Sequence, residues 1–244
     1  MNKESTKIVL VEPRGAINLG SVARLCENFG ITELRLVSPI CNKNDPDAIK
    51  MALKGRNLLK EAKTYLSLID AIEDCSRVIA TCGRRDHGEI PLHEAQGALQ
   101  WLRSDQKDTV TAIVFGREDR GLTNQELLLA NKVITLKTSS KYPSLNLSHA
   151  VAIVLYELNQ YNYNLITPTS NKNPIPAFPK ELDNFLEDSK KLLLEIGYLL
   201  DHTAIAKMDK FKMLLHRAEI RTEEVALIRG IISQVRWAIN KKKD

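Results

Sequence analysis

Apolar residues along the chain gather into short runs between polar stretches, and the period of each run predicts the element it forms. KIVLVE (7 to 12), ELRLVS (33 to 38), RVIATCG (77 to 83), TAIVFG (111 to 116) and KVITLK (132 to 137) read as strands. Helical stretches follow near 18 to 29, 46 to 63, 91 to 103, 123 to 130 and 146 to 161. This alternation predicts an α/β domain over 1 to 162, a parallel sheet with helices on both faces. From 163 to 179 the texture changes, because Pro168, Pro174, Pro176 and Pro179 stand among polar residues and predict a linker. Beyond it Leu182, Phe185, Leu186, Ser189, Leu192, Leu193, Ile196 and Leu200 keep helical spacing, and further helices are expected over 207 to 218 and 222 to 240. Residues 180 to 244 therefore read as a small all-helical C-terminal extension.

Composition narrows the class. The chain has 244 residues, 43% hydrophobic and 27% charged, enough to bury one large core or one large and one small. It holds no apolar stretch of membrane-spanning length and starts with the polar MNKESTK, so a cytoplasmic protein without membrane contact is expected. Cys26, Cys41, Cys75 and Cys82 lack metal-site spacing and the histidines are scattered, so no metal is expected. A net charge of +5 permits a polyanionic partner without requiring one.

Candidate chemistry sits in the loops after the strands, where strand carboxyl ends and helix N-termini converge. Gly15 and Gly20 mimic a phosphate loop, but Ser21 and Val22 stand where such a loop needs Lys and then Ser or Thr. Asn18, Ser21 and Arg24 fall three apart on the next helix, and Arg24 fits either a solvated face or a phosphate clamp. TCGRRDHGEIP places Gly83 before Arg84 and Arg85, a charged surface loop or a phosphate site. FGREDRGLTNQEL brackets Glu118 between Gly116 and Gly121, with Thr123 and Glu126 spaced as a capping box. In KYPSLNLSHAVAIVLYEL, Ser144, Asn146 and Ser148 can each cap the helix that follows, so the loop reads as redundant capping or as a cradle for a polar ligand.

NLGSVARLCENFG, IVFGREDRGLTNQEL and SLNLSHAVAIVLYEL, in this order, resemble the three motifs of the SPOUT RNA 2'-O-methyltransferases. HRAEIRTEEVALIRGIISQVRW resembles the C-terminal region of that family's TrmJ branch, which modifies tRNA. The resemblance implies a C-terminal trefoil knot in the α/β domain, a homodimer, and tRNA as partner. It also implies S-adenosyl-L-methionine as cofactor, held by Thr81, Cys82, Gly83, Gly116, Gly121, Leu136, Ser144, Leu145, Asn146 and Leu147. The resemblance assigns the catalytic role to Arg24. A guanidinium stays protonated at neutral pH, so Arg24 is read as holding the phosphate and the developing alkoxide rather than as a base. Asn18 is expected to orient Arg24 or the ribose, Glu118 to fix loops, and Arg84, Arg85 and Tyr142 to meet RNA. The branch implies methylation of a pyrimidine at tRNA position 32. The alternatives are an enzyme of rRNA or of the wobble nucleotide, and a non-catalytic RNA-binding subunit. Within the extension, Lys207, Lys210, Arg217 and Arg221 are expected to share one helical face.

Overall fold

The computed structural model describes residues 5–84, 87–103, 109–139, 141–163 and 176–241. The chain divides into two compact units, Met1–Asn173 and Pro174–Asp244. The first runs β1 (Ser5–Val11), α1 (Ala16–Asn28), β2 (Glu33–Val37), α2 (Pro46–Ala52), a 3-10 turn (Leu53–Gly55), α3 (Arg56–Glu61), β3 (Lys63–Tyr65), α4 (Leu68–Ala71) and β4 (Arg77–Thr81). It continues through β5 (Leu92–Glu94), α5 (Ala95–Arg103), β6 (Val110–Phe115), α6 (Asn124–Leu127), β7 (Lys132–Thr135) and α7 (Leu147–Tyr163).

Seven strands form one sheet in the order β3-β2-β1-β6-β4-β7-β5. Every neighbouring pair is parallel. Consecutive residues of the central strands, Ile8 to Val11, Val78 to Ala80 and Ala112 to Phe115, are all buried, so both faces of the sheet are covered. The register sets Leu10 beside Phe115 and Ile79 beside Ile113, and α7 adds Val151, Val154, Leu155 and Leu158 to the same core.

The single helix expected over 46 to 63 is broken. Asp45 caps α2 by accepting from the Asp47 N–H at 2.8 Å, and the helix stops at Leu53, whose φ is +47°. The break lets this segment lie backbone to backbone on α1. A Cβ on Gly20 would fall 2.2 Å from the Ala48 carbonyl oxygen, and one on Gly55 would fall 2.4 Å from that of Ala23. The strands β3 and β5 are three residues long and partly exposed, too short to leave an alternation in the sequence. The linker expected over 163 to 179 lies mostly on 164 to 175, outside the described residues.

The second unit holds α8 (Pro179–Glu195), α9 (Asp201–Arg217) and α10 (Thr222–Asn240) around Phe185, Leu186, Leu192, Leu215, Val225 and Ile232. The continuous helix that would carry Lys207, Lys210, Arg217 and Arg221 on one face is interrupted: the first three lie on α9 and Arg221 beyond its end. The chain turns at Glu219, φ +47°, and Arg221 becomes the N-cap of a separate helix. Lys207 donates to the Tyr198 carbonyl at 3.1 Å with its ammonium 4.9 Å from the centre of the Tyr198 ring.

An ionic cluster with two buried cations, Lys7 of β1 and Arg35 of β2, lies at the first halves of these strands. Arg35 donates to both carboxylate oxygens of Asp74, to Glu33 and to the Ala71 carbonyl, while Lys7 pairs with Glu33 and Asp74. Glu33 and Asp74 balance the two cations, which is what lets Lys7 and Arg35 leave water. The hydrogen bonds from Arg35 hold the Asp74 carboxyl well below its ordinary value of 3.8. A carboxylate shifted down stabilises the fold fully above its unfolded value, and that contribution fades as pH falls through the folded one. Asp74→Asn is expected to cost about 1 to 2 kcal/mol at pH 7, a figure reduced because Asp74 is half exposed. The gap between the variant and the parent should shrink as pH drops below about 4. Urea titrations at pH 7 and pH 3.5 check this, and a gap that stays constant contradicts it.

Candidate active site

Loops following β1, β4, β6 and β7 meet at one end of the sheet. Those after the adjacent strands β6, β4 and β7 enclose a cavity together with the start of α7. Nine of the ten residues expected to hold a cofactor line it: Thr81, Cys82 and Gly83 after β4, Gly116 and Gly121 after β6, Leu136 after β7, and Ser144, Leu145 and Leu147 before and at the start of α7. Phe115, Ile134 and Ala150 add apolar wall that sequence reading did not assign, being indistinguishable from core positions along the chain.

The loop after β6 folds back on itself. A Cβ on Gly116 would fall 2.3 Å from the Gly121 carbonyl carbon, and Gly121 takes φ +67°. Arg117 pins the fold from inside. Its buried guanidinium donates to both oxygens of Glu126, at 2.8 and 2.9 Å, to Glu12, and to the Gly121 carbonyl at 3.3 Å. Arg117's hydrogen bonds to Glu12 and Glu126 raise its own pKa, and the bond to Arg117 holds the Glu12 carboxyl below its ordinary value. Burial pushes Glu126 up, but Arg117 and the Thr123 N–H outweigh it and the net shift is downward. Glu126 also completes the expected capping box: it accepts from the Thr123 N–H at 2.7 Å, while the Thr123 hydroxyl accepts from the Glu126 N–H at 3.2 Å. Arg117 was not singled out as a site residue, because a charge in GREDRG reads as exposed. Nothing in the sequence marks the positive φ of Glu12, +46°, which turns its carboxylate toward Arg117.

Glu118 points the other way, to the start of α1. That helix begins at Gly15, which has no side chain to cap it. The carboxylate of Glu118 accepts from the Gly15 N–H at 3.0 Å, from the Arg14 N–H at 3.1 Å and from the Asn18 amide at 3.3 Å. A charge 103 residues away in sequence thus serves as the N-terminal cap, favoured by the helix dipole. Asn18 in turn accepts from the Asn146 amide at 3.0 Å. The other end of Asn146 accepts from the Ser148 N–H at 2.9 Å and the Ser148 hydroxyl at 2.7 Å, capping α7. Asn146 is the one expected cofactor residue absent from the cavity lining, and its amide joins α7 to α1.

Arg24 lies on α1 roughly 9 Å beyond Asn18, given the helical rise per residue. It is exposed and, among the described residues, forms no hydrogen bond or ion pair, which leaves its guanidinium available to an anion. Asn18 is engaged by Glu118 and Asn146, so no contact that would orient Arg24 directly is seen. Arg84 lines the cavity and donates to the Asn124 side chain at 2.7 Å, tying the loop after β4 to α6. Tyr142 is 77% exposed, whereas Arg85 lies outside the described residues. Among the described residues no cluster of side chains suits a metal ion, and no helix is long and apolar enough to cross a membrane.

Residues 5–156 match the SpoU rRNA Methylase family, and residues 180–244 match the C-terminal domain of the tRNA methyltransferase TrmJ. The chain is 31% identical to the tRNA (cytidine/uridine-2'-O-)-methyltransferase TrmJ of Pectobacterium atrosepticum, over 95% of this chain and 97% of that one. It is 33% identical to the tRNA (cytidine-2'-O-)-methyltransferase TrmJ of Sulfolobus acidocaldarius, over 98% and 96%. The crystal structure of TrmJ from Z. mobilis superposes with a TM-score of 0.81 at 27% identity, covering 96% of this chain and 99% of that one. With the loop geometry at the sheet's carboxyl end and similarity running through both units, the chain belongs to the SpoU rRNA methylase family, in its TrmJ branch.

Proposed function

We propose that the chain methylates the ribose 2'-hydroxyl of a pyrimidine at position 32 of tRNA, with S-adenosylmethionine as donor. The observation that carries this reading is the cavity itself: the motif residues from three separate loops line one space, beside a helix whose exposed arginine has no ion pair among the described residues. The cavity suits the donor. Its wall from Phe115, Ile134, Leu136, Leu145 and Leu147 is apolar, and a Cβ built on Gly83 meets nothing within 4 Å, so the protein's own packing does not require that glycine while a planar ring lying on the backbone would. The match of residues 180–244 to the TrmJ domain favours tRNA over rRNA as substrate. A homodimer and a trefoil-knotted path through residues 116 to 163 belong to the same reading. The insertion of β7 between β4 and β5, and the return of α7 against α1 and α5, support that path.

S-adenosylmethionine, when bound, supplies a methyl group on a positively charged sulfur. The chain's residues supply position and charge. Apolar side chains exclude water from the reacting centre. Arg24 holds the phosphate next to the target ribose and donates to the 2'-oxygen as negative charge develops there, while the proton leaves to water or to that phosphate. Glu118, Asn18 and Asn146 act as positioning residues that fix α1, which carries Arg24, against the loops of the cavity. Tyr142 and Arg84 meet the nucleotide or its backbone.

Incubating the purified chain with unmodified tRNA and S-adenosylmethionine, then mapping ribose methylation by mass spectrometry, should find one 2'-O-methylated pyrimidine at position 32. A methyl elsewhere, or on a base, contradicts the reading. In the same assay Arg24→Ala is expected to lower turnover at least a hundredfold with cofactor affinity within a few fold of the parent. Arg24→Lys should not rescue it, since lysine lacks the planar fork, and near-normal turnover by Arg24→Lys removes the bidentate role.

Asn146 separates capping from coupling. Asn146→Ala loses both and should cost about 1 kcal/mol of stability together with most of the activity. Asn146→Asp keeps the acceptor for Ser148 but loses the donor to Asn18, so its melting temperature should stay near the parent's while methylation falls tenfold or more. An Asn146→Asp chain that methylates at the parent's rate shows that the link to α1 is dispensable.

A further inference from the structure

The helix α10 of the second unit is apolar on more than its core side. Val225 and Ile232 are buried and Ile228 and Ile239 are partly buried in the unit's own core. One step around the helix, Leu227, Ile231 and Val235 follow at intervals of four, with 67%, 56% and 38% of their surface exposed. Such a ridge on a charged surface marks a place where another helix packs. We propose that this ridge packs, antiparallel, on the same ridge of a second copy of the chain. The inference rests on the homodimer proposed above and adds to it a specific contact through the C-terminal unit.

The charges flanking the ridge single out a second copy. Glu223 and Lys241 lie 18 residues apart, five helical turns, and so share one side of α10. Glu223 stands eight residues before Ile231 and Lys241 ten residues after it. A two-fold axis at Ile231 sets Leu227 opposite Val235 of the second copy and keeps each flank on its own side, so Glu223 of each copy faces Lys241 of the other. The mismatch of two residues is roughly 3 Å along the axis. Lys241 takes it up, because its side chain folds back with the ammonium 4.9 Å from the centre of the Trp237 ring. The antiparallel pairing also sets the acidic first turn, Glu223 and Glu224, beside Lys241 at the C-cap of the other helix. A parallel pairing would put the two flanks on opposite sides of the contact and leave Glu223 and Lys241 without a partner across it. Three apolar side chains per helix are too few to hold a dimer alone. The contact forms within a dimer held elsewhere, where the tethered units meet at high effective concentration.

Full-length Ile231→Cys, oxidised with diamide, tests the contact, with the parent chain and Ser233→Cys as references. Ser233 is exposed on the far side of α10, and the native thiols are buried or half-buried. Ile231→Cys should form a covalent dimer in most molecules. Adding Glu223→Lys should cut the yield at least fivefold, and adding Glu223→Lys with Lys241→Glu should restore it, which a mere loss of helix stability would not do. A yield no higher than that of Ser233→Cys, or no rescue by the double reversal, overturns the proposal. So does protection of the Ile231→Cys thiol from alkylation only when tRNA is added, which assigns the ridge to RNA. Sedimentation of the parent separates the two readings: a dimer without the cross-link refutes only the α10 contact, whereas a monomer refutes the homodimer as well.

Discussion

The carboxylate of Glu118 at the head of α1 is the interaction on which the candidate site depends. The N-cap of α1 is Gly15, which has no side chain to cap its first amides. Glu118 fills that place from a loop on the neighbouring strand, engaging two backbone N–H groups and the amide of Asn18. A helix that takes its cap from another element is located by that element. Because α1 carries Arg24 and the loop of Glu118 lines the cavity, one carboxylate helps to set where Arg24 stands relative to the cavity.

Glu118 can serve as a cap because Arg117 beside it is fixed. A buried guanidinium is tolerable only when its charge is met, and Glu12 and Glu126 meet it through the two terminal nitrogens. Glu12 does so from a left-handed backbone position, and Glu126 while closing the turn before α6. Two adjacent residues of opposite charge thus point in opposite directions, Arg117 into the structure and Glu118 across to α1. The tight fold between Gly116 and Gly121 makes this possible, since any side chain at Gly116 would collide with the backbone coming back.

Much of the fold was legible in the chain. The five long strands and the helices α1, α5, α7, α8, α9 and α10 appear where runs of apolar residues with a clear period predict them, because long buried elements leave repeated marks. The breaks were not legible. Nothing local at Leu53 or Glu219 signals a left-handed backbone, and the backbone contacts of Gly20 and Gly55 depend on residues 28 and 32 positions away. The cavity loops announced themselves through glycine and through polar residues before apolar ones. The pattern stopped short of roles: Asn146 has the chemistry of a ligand contact, yet its partners are Ser148 and Asn18. Arg117 was hidden for the converse reason, a charged residue in a polar stretch that the fold turns inward.

Amide hydrogen exchange at the start of α1, paired with cofactor titration, tests the central role of Glu118 most directly. In Glu118→Ala the Gly15 amide and the first turn of α1 should lose protection, and affinity for S-adenosylmethionine and the rate of tRNA methylation should fall with it, while the strands keep theirs. A variant in which cofactor affinity collapses although the first turn of α1 stays protected would contradict the account, because Glu118 would then act on the ligand and not through the helix.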